Sequence, residues 1–147
     1  MDSKGLGQLV RIRLHSSIQH PGQEKESHEI EATGRYIEKA GNAYLKYDER
    51  QDGGEIQSTV KMGNAEALIM RRCAITMRLP FFKDQDKPGE YGSAQANLKL
   101  LVRTKRLEFI KEATGMGGQF IVAYELHAQG SLLGTYELSI TYSEGIK

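Results

Sequence analysis

Residues 34–49 read GRYIEKAGNAYLKYDE, in which two alternating polar and apolar segments are separated by Gly41-Asn42. Alternation with a period of two puts successive side chains on opposite faces of an extended chain, so each segment is typical of a half-buried strand. A glycine beside an asparagine accepts the positive φ that a tight turn between antiparallel strands requires. The stretch therefore predicts a β-hairpin with its turn at Gly41-Asn42.

Three tyrosines flank this turn, with Tyr36 before it and Tyr44 and Tyr47 after it. Tyrosine favours strands, and cross-strand aromatic pairs stabilise hairpins by roughly 0.2–1 kcal/mol each. The same rings, with their hydroxyl groups, can also contact a ligand. We prefer the packing interpretation for the three tyrosines and keep ligand contact as the alternative.

The same alternation continues along the rest of the chain. In LVRIRLHSSI, one face carries Val10, Ile12, Leu14 and Ile18. Further strands are predicted in SHEIEATGRYIEK, NAYLKYDE, EIQSTVKM, EALIMRRCAITMRLPF, NLKLLVRTKRLEFI, GQFIVAYELHA and LLGTYELSITY. Turns between strands are expected at Gly53-Gly54, Gly117-Gly118 and Gly130-Ser131. The segment FFKDQDKPGEYGSAQ predicts a loop or a frayed edge, because Pro88 lacks the N–H that a central strand needs.

Eight to ten strands joined by hairpin turns form an antiparallel meander, and no segment has the length of the helical crossover in a parallel sheet. A long meander leaves two unpaired edges unless it closes, and closure into an up-and-down barrel removes them. We therefore predict an all-β protein with one domain over residues 1–147. Its single antiparallel up-and-down β-barrel is expected over about residues 8–143.

The composition is that of an ordinary folded protein, with 39% hydrophobic and 27% charged residues. A net charge of +1 argues against a dedicated nucleic-acid binder, which usually carries a marked basic excess. No apolar run approaches the roughly 20 residues of a membrane helix, and arginines interrupt the apolar start of the chain, unlike a secretory signal. Cys73 is the single cysteine and excludes an internal disulfide. We expect a cytoplasmic location and no association with a membrane.

The order of these segments resembles a known family. GRYIEKAGNAYLKYDE, STVKM, ALIMRR, LLVRTKRL, FIVAYELHAQG and LSITYS follow one another as in the YwiB-like family of small proteins from Firmicutes, over roughly residues 8 to 143. The resemblance implies a closed or nearly closed calycin-type (lipocalin-like) β-barrel of about eight strands. It implies no activity, since the specificity lies in the ordered strand patterns and none of the motifs is catalytic.

No motif indicates catalysis or metal binding. Gly-Met-Gly-Gly at 115–118 precedes a strand, whereas a phosphate loop needs a helix N-terminus after it. Cys73 lies in an apolar segment, where a free cysteine usually acts as a small core residue, so we expect it to be buried and structural. The histidines lack the short spacing of metal ligands: His15, His20, His28 and His127. We expect no catalytic residue, no metal and no cofactor.

The predicted inner face carries an unexpected charge. Odd positions of residues 67–79 are apolar except for Arg71 and Cys73, so an uninterrupted strand points Arg71 into the barrel. A buried guanidinium needs a partner, because an unpaired buried charge is very costly. That partner is a tyrosine hydroxyl, a carboxylate or a bound anion. In the alternative, a bulge or turn at Arg71-Arg72-Cys73 leaves Arg71 in solvent.

A small barrel is either filled by its own side chains or holds one small ligand. We hypothesise a non-catalytic binder of a small, partly apolar or anionic molecule, with polar contacts at the barrel mouth from Tyr47, Arg71, Tyr124 and Tyr136. One alternative is a nucleic-acid or ribonucleoprotein accessory protein that uses a basic stripe formed by Lys99, Arg103, Lys105 and Arg106. Another is an enzyme whose residues meet only in the folded chain. The sequence does not indicate an oligomeric state.

Overall fold

Ten antiparallel strands follow one another along the chain, and each pairs with its neighbours in sequence. The computed structural model describes residues 7–51, 54–93, 95–113 and 117–144. The strands are β1 (Gln8–Gln19), β2 (Glu26–Lys39), β3 (Asn42–Gln51), β4 (Gly54–Met62), β5 (Glu66–Arg72), β6 (Thr76–Phe82), β7 (Asp86–Gly92), β8 (Asn97–Lys111), β9 (Gly117–Ala128) and β10 (Ser131–Ser143). The described residues contain no helix that could span a membrane.

Pairing of the first strand with the last closes the sheet. β1 runs antiparallel to β10, from Arg11 opposite Ser143 to Gln19 opposite Thr135. The all-β, antiparallel, up-and-down barrel predicted from alternation is confirmed. Its ten strands lie at the upper end of the predicted range, and exceed the number that the family resemblance implied.

Inward-facing side chains fill the middle of the barrel. Eight apolar residues have no solvent exposure and belong to one continuous cluster: Leu45, Val60, Leu79, Phe81, Val102, Phe120, Val122 and Ile140. Full burial of such a side chain contributes roughly 1.5–3 kcal/mol relative to its exposure. Because these residues pack the centre, we expect inward side chains to be open to a ligand only near the ends of the barrel.

Two hairpin turns lie one residue earlier than the sequence predicted. Positive φ angles occur at Ala40 (53°) and Gly41 (82°), and again at Gln129 (53°) and Gly130 (80°). Two consecutive positive φ angles give the turn whose twist matches that of the flanking strands. The residues after these pairs, expected in the turns, are instead the first residues of β3 and β10.

The three tyrosines of the first hairpin reach three different places. Tyr44 is on the outer face, half-buried and opposite Ile37. Tyr36 and Tyr47 point inward, toward opposite ends of the barrel. The Tyr36 ring stacks on Tyr142 with 5.0 Å between ring centroids. Packing therefore accounts for Tyr36, whereas Tyr47 lies near the end at which β3 stops and β4 begins.

The expected turn at Gly117-Gly118 is wrong, because both residues lie in β9 and are buried. A Cβ added to Gly118 would lie 2.6 Å from the hydroxyl oxygen of Tyr142, so glycine there allows the ring to approach the backbone. Gly115 and Met116 lie outside the described residues. Gly53 also lies outside them, and Gly54 is the first residue of β4.

Of the two structures predicted around Pro88, a loop or a frayed edge, the loop is wrong, because residues 86–92 form β7. The ladder between β7 and β6 extends only from Gly92 to Glu90, whereas the ladder with β8 continues past Pro88, which lies opposite Leu101. Pro88 therefore has a paired neighbour on one side only. This is the environment of an edge strand, in which a missing N–H is tolerated.

The long apolar segment at 66–82 divides into β5 and β6 around a turn at residues 73–75. Cys73 lies in this turn and is exposed, and its Sγ is 3.3 Å from the carbonyl oxygen of Ile75. The expectation that Cys73 is a buried core residue is therefore wrong. Ile75, expected on the inner face, is likewise exposed in the turn.

We predict that a thiol reagent labels Cys73 in the native protein nearly as fast as in the unfolded chain, because the side chain lies in an exposed turn. Cys73→Ser should change the free energy of unfolding by less than about 0.5 kcal/mol. Labelling kinetics with and without urea, together with urea melts of the variant, provide the measurement. Labelling that requires unfolding would contradict the assignment of Cys73 to the turn.

A glycine in β2 makes room for the inward tyrosine of β3. Gly34 lies directly opposite Tyr47, and a Cβ added to it would lie 2.4 Å from the carbonyl oxygen of Lys46 and 2.7 Å from the Ile12 side chain. A backbone oxygen cannot move away as a flexible side chain does. Gly34 is thus required by the packing of β3 over β2.

Gly34→Ala should lower the free energy of unfolding by about 1–3 kcal/mol, because the added methyl group overfills a packed interior. Equilibrium unfolding in urea measures the loss. The matched control is Thr33→Ala on the exposed outer face of the same strand, expected within about 0.5 kcal/mol of the parent. Equal stabilities of the two variants would be inconsistent with this close approach.

Candidate ligand site at the barrel mouth

One end of the barrel, called the mouth here, lies where β3 leads into β4, β5 into β6 and β7 into β8. Near it, directly opposite residues form a continuous row across the inner face of six neighbouring strands. In order from β3 to β8, the row consists of Tyr47, Ser58, Arg71, Met77, Tyr91 and Leu98. Its first half is polar and its second half is apolar.

The polar half of the row contains a partly buried ion pair. Nη2 of Arg71 donates a hydrogen bond to Oε1 of Glu49 over 2.9 Å. The Glu49 side chain is 7% exposed and that of Arg71 is 34% exposed. Arg71 thus shares the inner face with Ile69, because the turn begins only after Arg72.

Glu49 is the residue that sequence reasoning overlooked. The inward direction of Glu49 could have been inferred from alternation, because residues 45, 47 and 49 lie on the same face of a strand. All three are buried on the inner face of β3. Of the three partners considered for Arg71, the structure shows a carboxylate. Burial of both charges together is tolerated because each partner offsets part of the other's desolvation.

Tyr124 lies close enough to Arg71 for the charge of Arg71 to act on the tyrosine hydroxyl, and Tyr136 stacks on Tyr124. The two residues are opposite each other on β9 and β10, and their rings stack with 5.1 Å between centroids. Burial raises the pKa of Tyr47 to about 12, while the nearby Arg71 charge opposes the shift. Burial also raises the pKa of Tyr124, and the Arg71 charge acts on that hydroxyl too. The charge of Arg71 therefore acts on the hydroxyl groups of both Tyr47 and Tyr124. Both hydroxyl groups are neutral at pH 7 and can donate a hydrogen bond.

Three buried hydroxyl groups on the inner face have no hydrogen-bond partner among the described residues: Ser58, Thr104 and Tyr142. Ser58 lies opposite both Tyr47 and Arg71, and Thr104 lies opposite Tyr124. The Ser58 hydroxyl is near enough to Tyr47 to lower its pKa, but without the geometry of a formed hydrogen bond. An unsatisfied buried hydroxyl costs about 1–3 kcal/mol, so a polar group from a ligand would be stabilised there.

The apolar half of the row is open to solvent. Tyr91 is 42% exposed and Leu98 is 37% exposed, although both lie on the inward parity of their strands. Met77 is half-buried between them and Arg71. The mouth therefore offers cationic and hydroxyl groups on one side and exposed apolar surface on the other.

The basic stripe predicted on β8 lies on the outer face, as expected, but most of its cations are paired. Arg103 contacts Asp86 at 3.0 Å, and Lys105 contacts Glu125 at 3.8 Å. Arg106 contacts Glu108 at 3.0 Å. A bulge between Thr104 and Arg106 turns Arg106 outward as well, which alternation alone did not reveal. These carboxylates reduce the positive charge that the stripe offers to a nucleic acid.

Within residues 7–51, 54–93, 95–113 and 117–144, no three His, Cys, Asp or Glu side chains gather as metal ligands. His127 contacts Glu125, with 2.9 Å between Nε2 and Oε1. His20 lies against the carbonyl oxygen of Leu133, with 3.1 Å from Nδ1. Both histidines thus have contacts of a structural kind.

The fold and the mouth together define a closed ten-strand β-barrel protein with a packed centre and one polar, partly open end. The chain belongs to the family described as "Domain of unknown function (DUF1934)", whose model matches residues 12–140. It is similar to "Uncharacterized beta-barrel protein YwiB" of Bacillus subtilis (strain 168), with 27% identity over 136 residues, 92% of this chain and 94% of that protein.

A solved structure supports the same relationship. The chain resembles the crystal structure of the ywiB protein from Bacillus subtilis with a TM-score of 0.82 and 27% identity, covering 95% of this chain and 93% of that one. The resemblance to the YwiB-like family noted from the strand patterns is confirmed.

We predict that Arg71→Leu lowers the free energy of unfolding by about 1–3 kcal/mol, because Glu49 loses its guanidinium partner while remaining buried. The range is below that of a fully buried pair, since Arg71 is partly exposed and screened. Arg72→Leu, on the exposed outer face of the same strand, should change stability by less than about 0.5 kcal/mol. Urea melts of both variants test this, and equal stabilities would rule out a significant role of the ion pair.

Proposed function

We propose that this protein is a non-catalytic binder of a small amphipathic anion, held across the barrel mouth. The observation that carries the proposal is the Glu49–Arg71 ion pair, which lies beside buried hydroxyl groups and continues into an exposed apolar row. Binding sites for small molecules combine apolar lining with a few convergent polar groups. The mouth has this composition.

The polar end of the ligand would meet Arg71. A guanidinium has five N–H donors, and the hydrogen bond to Glu49 uses one of them. Since about a third of the Arg71 side chain is exposed, its other donors remain accessible to a carboxylate or phosphate oxygen. Tyr47, Tyr124 and Tyr136 would add hydroxyl donors, which remain protonated well above neutral pH because burial raises the pKa of each.

The apolar end of the ligand would lie on Met77, Tyr91 and Leu98. Side chains of the packed core occupy the space below, so the ligand is expected to lie across the mouth and not deep inside the barrel. A shallow site buries less apolar area than an enclosed cavity, which favours moderate affinity. A calycin-type assignment of the barrel fits this proposal, since barrels of this size accommodate one small ligand.

The test is a fluorescence titration with 8-anilinonaphthalene-1-sulfonate, followed by displacement with decanoate or with decan-1-ol. Arg71→Leu should weaken binding of decanoate roughly 10- to 100-fold, because a hydrogen bond to a charged group contributes about 1.5–3 kcal/mol. Arg72→Leu is the matched control and should bind like the parent. Tyr136→Phe keeps the ion pair and the ring stack, and should weaken decanoate binding several-fold.

Two outcomes would reject the proposal. One is that decan-1-ol binds as tightly as decanoate, which would remove the role of the anion. The other is that Arg71→Leu and Arg72→Leu bind alike in folded protein. If neither outcome occurs, native mass spectrometry of protein purified gently from its own cells identifies the natural ligand. We expect this ligand to carry one acidic group and an apolar chain or ring.

A further inference from the structure

A second surface, on the outside of the barrel, carries several cations that no carboxylate pairs. The outer face of β2 to β6, called the basic face here, holds six of them: Arg35, Lys39, Lys46, Lys61, Arg72 and Arg78. Among the described residues, none of the six forms an ion pair or a side-chain hydrogen bond. Lys61 is half-buried and the other five are exposed.

Elsewhere among the described residues, six of the eleven lysines and arginines contact a carboxylate, and on the basic face Arg50 contacts Glu55. Arg13 pairs with Glu31, Arg103 pairs with Asp86, and Lys111 with Glu38. The outer face of the same strands also carries two exposed carboxylates that no described cation pairs, Asp48 and Glu66. The six unpaired cations of the basic face outnumber these two carboxylates. The net charge of +1 therefore conceals an uneven distribution. Local potential matters most within about 10 Å of the surface, the Debye length at ~0.1 M salt.

The register places three of these cations in one row across the sheet: Arg35, Lys46 and Arg78. Opposite residues run from Arg35 through Lys46, Thr59 and Met70 to Arg78. Four strand spacings of about 4.8 Å separate the two arginines by roughly 19 Å. This distance is enough for several successive phosphates of an extended nucleic-acid strand.

A groove of about 640 Å³ lies on this face. Its lining includes the Tyr44 ring, the Met70 thioether and three of the unpaired cations: Lys39, Lys46 and Arg72. The carboxylate of Asp48 also lines it, as do Tyr47 and Ser58 of the mouth row. Tyr44 is half-buried, so one part of its ring is held by packing and another part faces the groove. Cations that follow a groove beside an aromatic ring are the arrangement that binds single strands.

We infer that the basic face binds single-stranded nucleic acid, with phosphates on the cations and a base stacked on Tyr44. An acidic peptide fits less well, because the strands that carry the groove, β2 to β5, are paired on both sides and offer a peptide backbone no free edge. A membrane surface fits less well too, since none of the exposed large apolar side chains lies on β2 to β6. The inference does not depend on the mouth or on its ligand.

The experiment measures fluorescence anisotropy of a labelled oligouridine of about 12 nucleotides, a length within the range that small β-domains occupy. Salt is varied from about 0.05 M to about 0.2 M. The slope of log K against log salt should be near −0.7 for each phosphate neutralised, so engagement of about four cations gives a slope close to −3. Binding is expected in the micromolar range at the lower salt concentration.

Three variants separate the roles of the residues. Lys46→Gln and Arg72→Gln should each weaken binding several-fold and reduce the salt slope by about 0.7. Tyr44→Leu should weaken binding about tenfold and leave the slope unchanged, because stacking does not release counterions. Lys105→Gln lies on the paired stripe of β8 and should bind like the parent.

Several results would overturn the inference. One is that Lys46→Gln and Arg72→Gln bind the oligonucleotide with the same affinity as Lys105→Gln. Another is that Tyr44→Leu binds like the parent. A third is that polyglutamate, or vesicles rich in phosphatidylserine, compete as well as unlabelled oligonucleotide. Circular dichroism of each variant confirms that it is folded. A Tyr44→Phe variant, which keeps the ring, should restore the affinity lost in Tyr44→Leu.

Discussion

The pairing between β1 and β10 is the constraint on which the rest of the structure depends. A meander of strands has two edges, and each exposes unpaired N–H and C=O groups that water or another chain must satisfy. Closure satisfies both edges at once and fixes which residues face inward on all ten strands. It also fixes the register between strands, since a slip by one residue would turn every inward side chain of a strand outward.

The inner face of the closed barrel is apolar in the middle and polar toward the mouth. In the middle, Leu45, Phe81 and Phe120 exclude water completely and belong to one packed cluster. Toward the mouth, the same inward parity continues into Glu49 and Arg71, where apolar burial gives way to an ion pair. Such a pair contributes less to stability than apolar residues of the same size.

The outer face follows a different rule, because its side chains remain in water and pair only with what the register places beside them. On β8 and its neighbours, Arg103 lies next to Asp86 and Glu125, so positive charge is locally cancelled. On β3 to β6, the register places Lys46 beside Thr59 and Met70 beside Arg78, so the charge remains available. Net charge alone cannot distinguish these two surfaces.

The sequence by itself determined the class of fold and the inward direction of some candidate site residues. Alternation is a local property of extended chain, so Tyr124 and Tyr136 could be assigned to the apolar face before any strand was placed beside another, whereas a position of Arg71 in solvent stayed open. The antiparallel order follows from the same alternation and from the turns, but the number of strands was predicted only as eight to ten, because β5 and β6 formed one apolar segment and β7 was expected to be a loop or a frayed edge. The turns themselves were predicted less well, because Ala40 and Gln129 adopt a positive φ, which alanine and glutamine rarely do.

Only the tertiary structure decided which residues meet. The pairing of Arg71 with Glu49, the outward position of Arg106 after a bulge and the separation of paired from unpaired cations all depend on register between strands distant in sequence. The position of Cys73 also depended on the tertiary structure, because the sequence pattern of an apolar segment does not distinguish one long strand from two strands around a turn. Register and turn position are set by closure of the whole barrel, and closure is a property of ten strands together that no single segment carries.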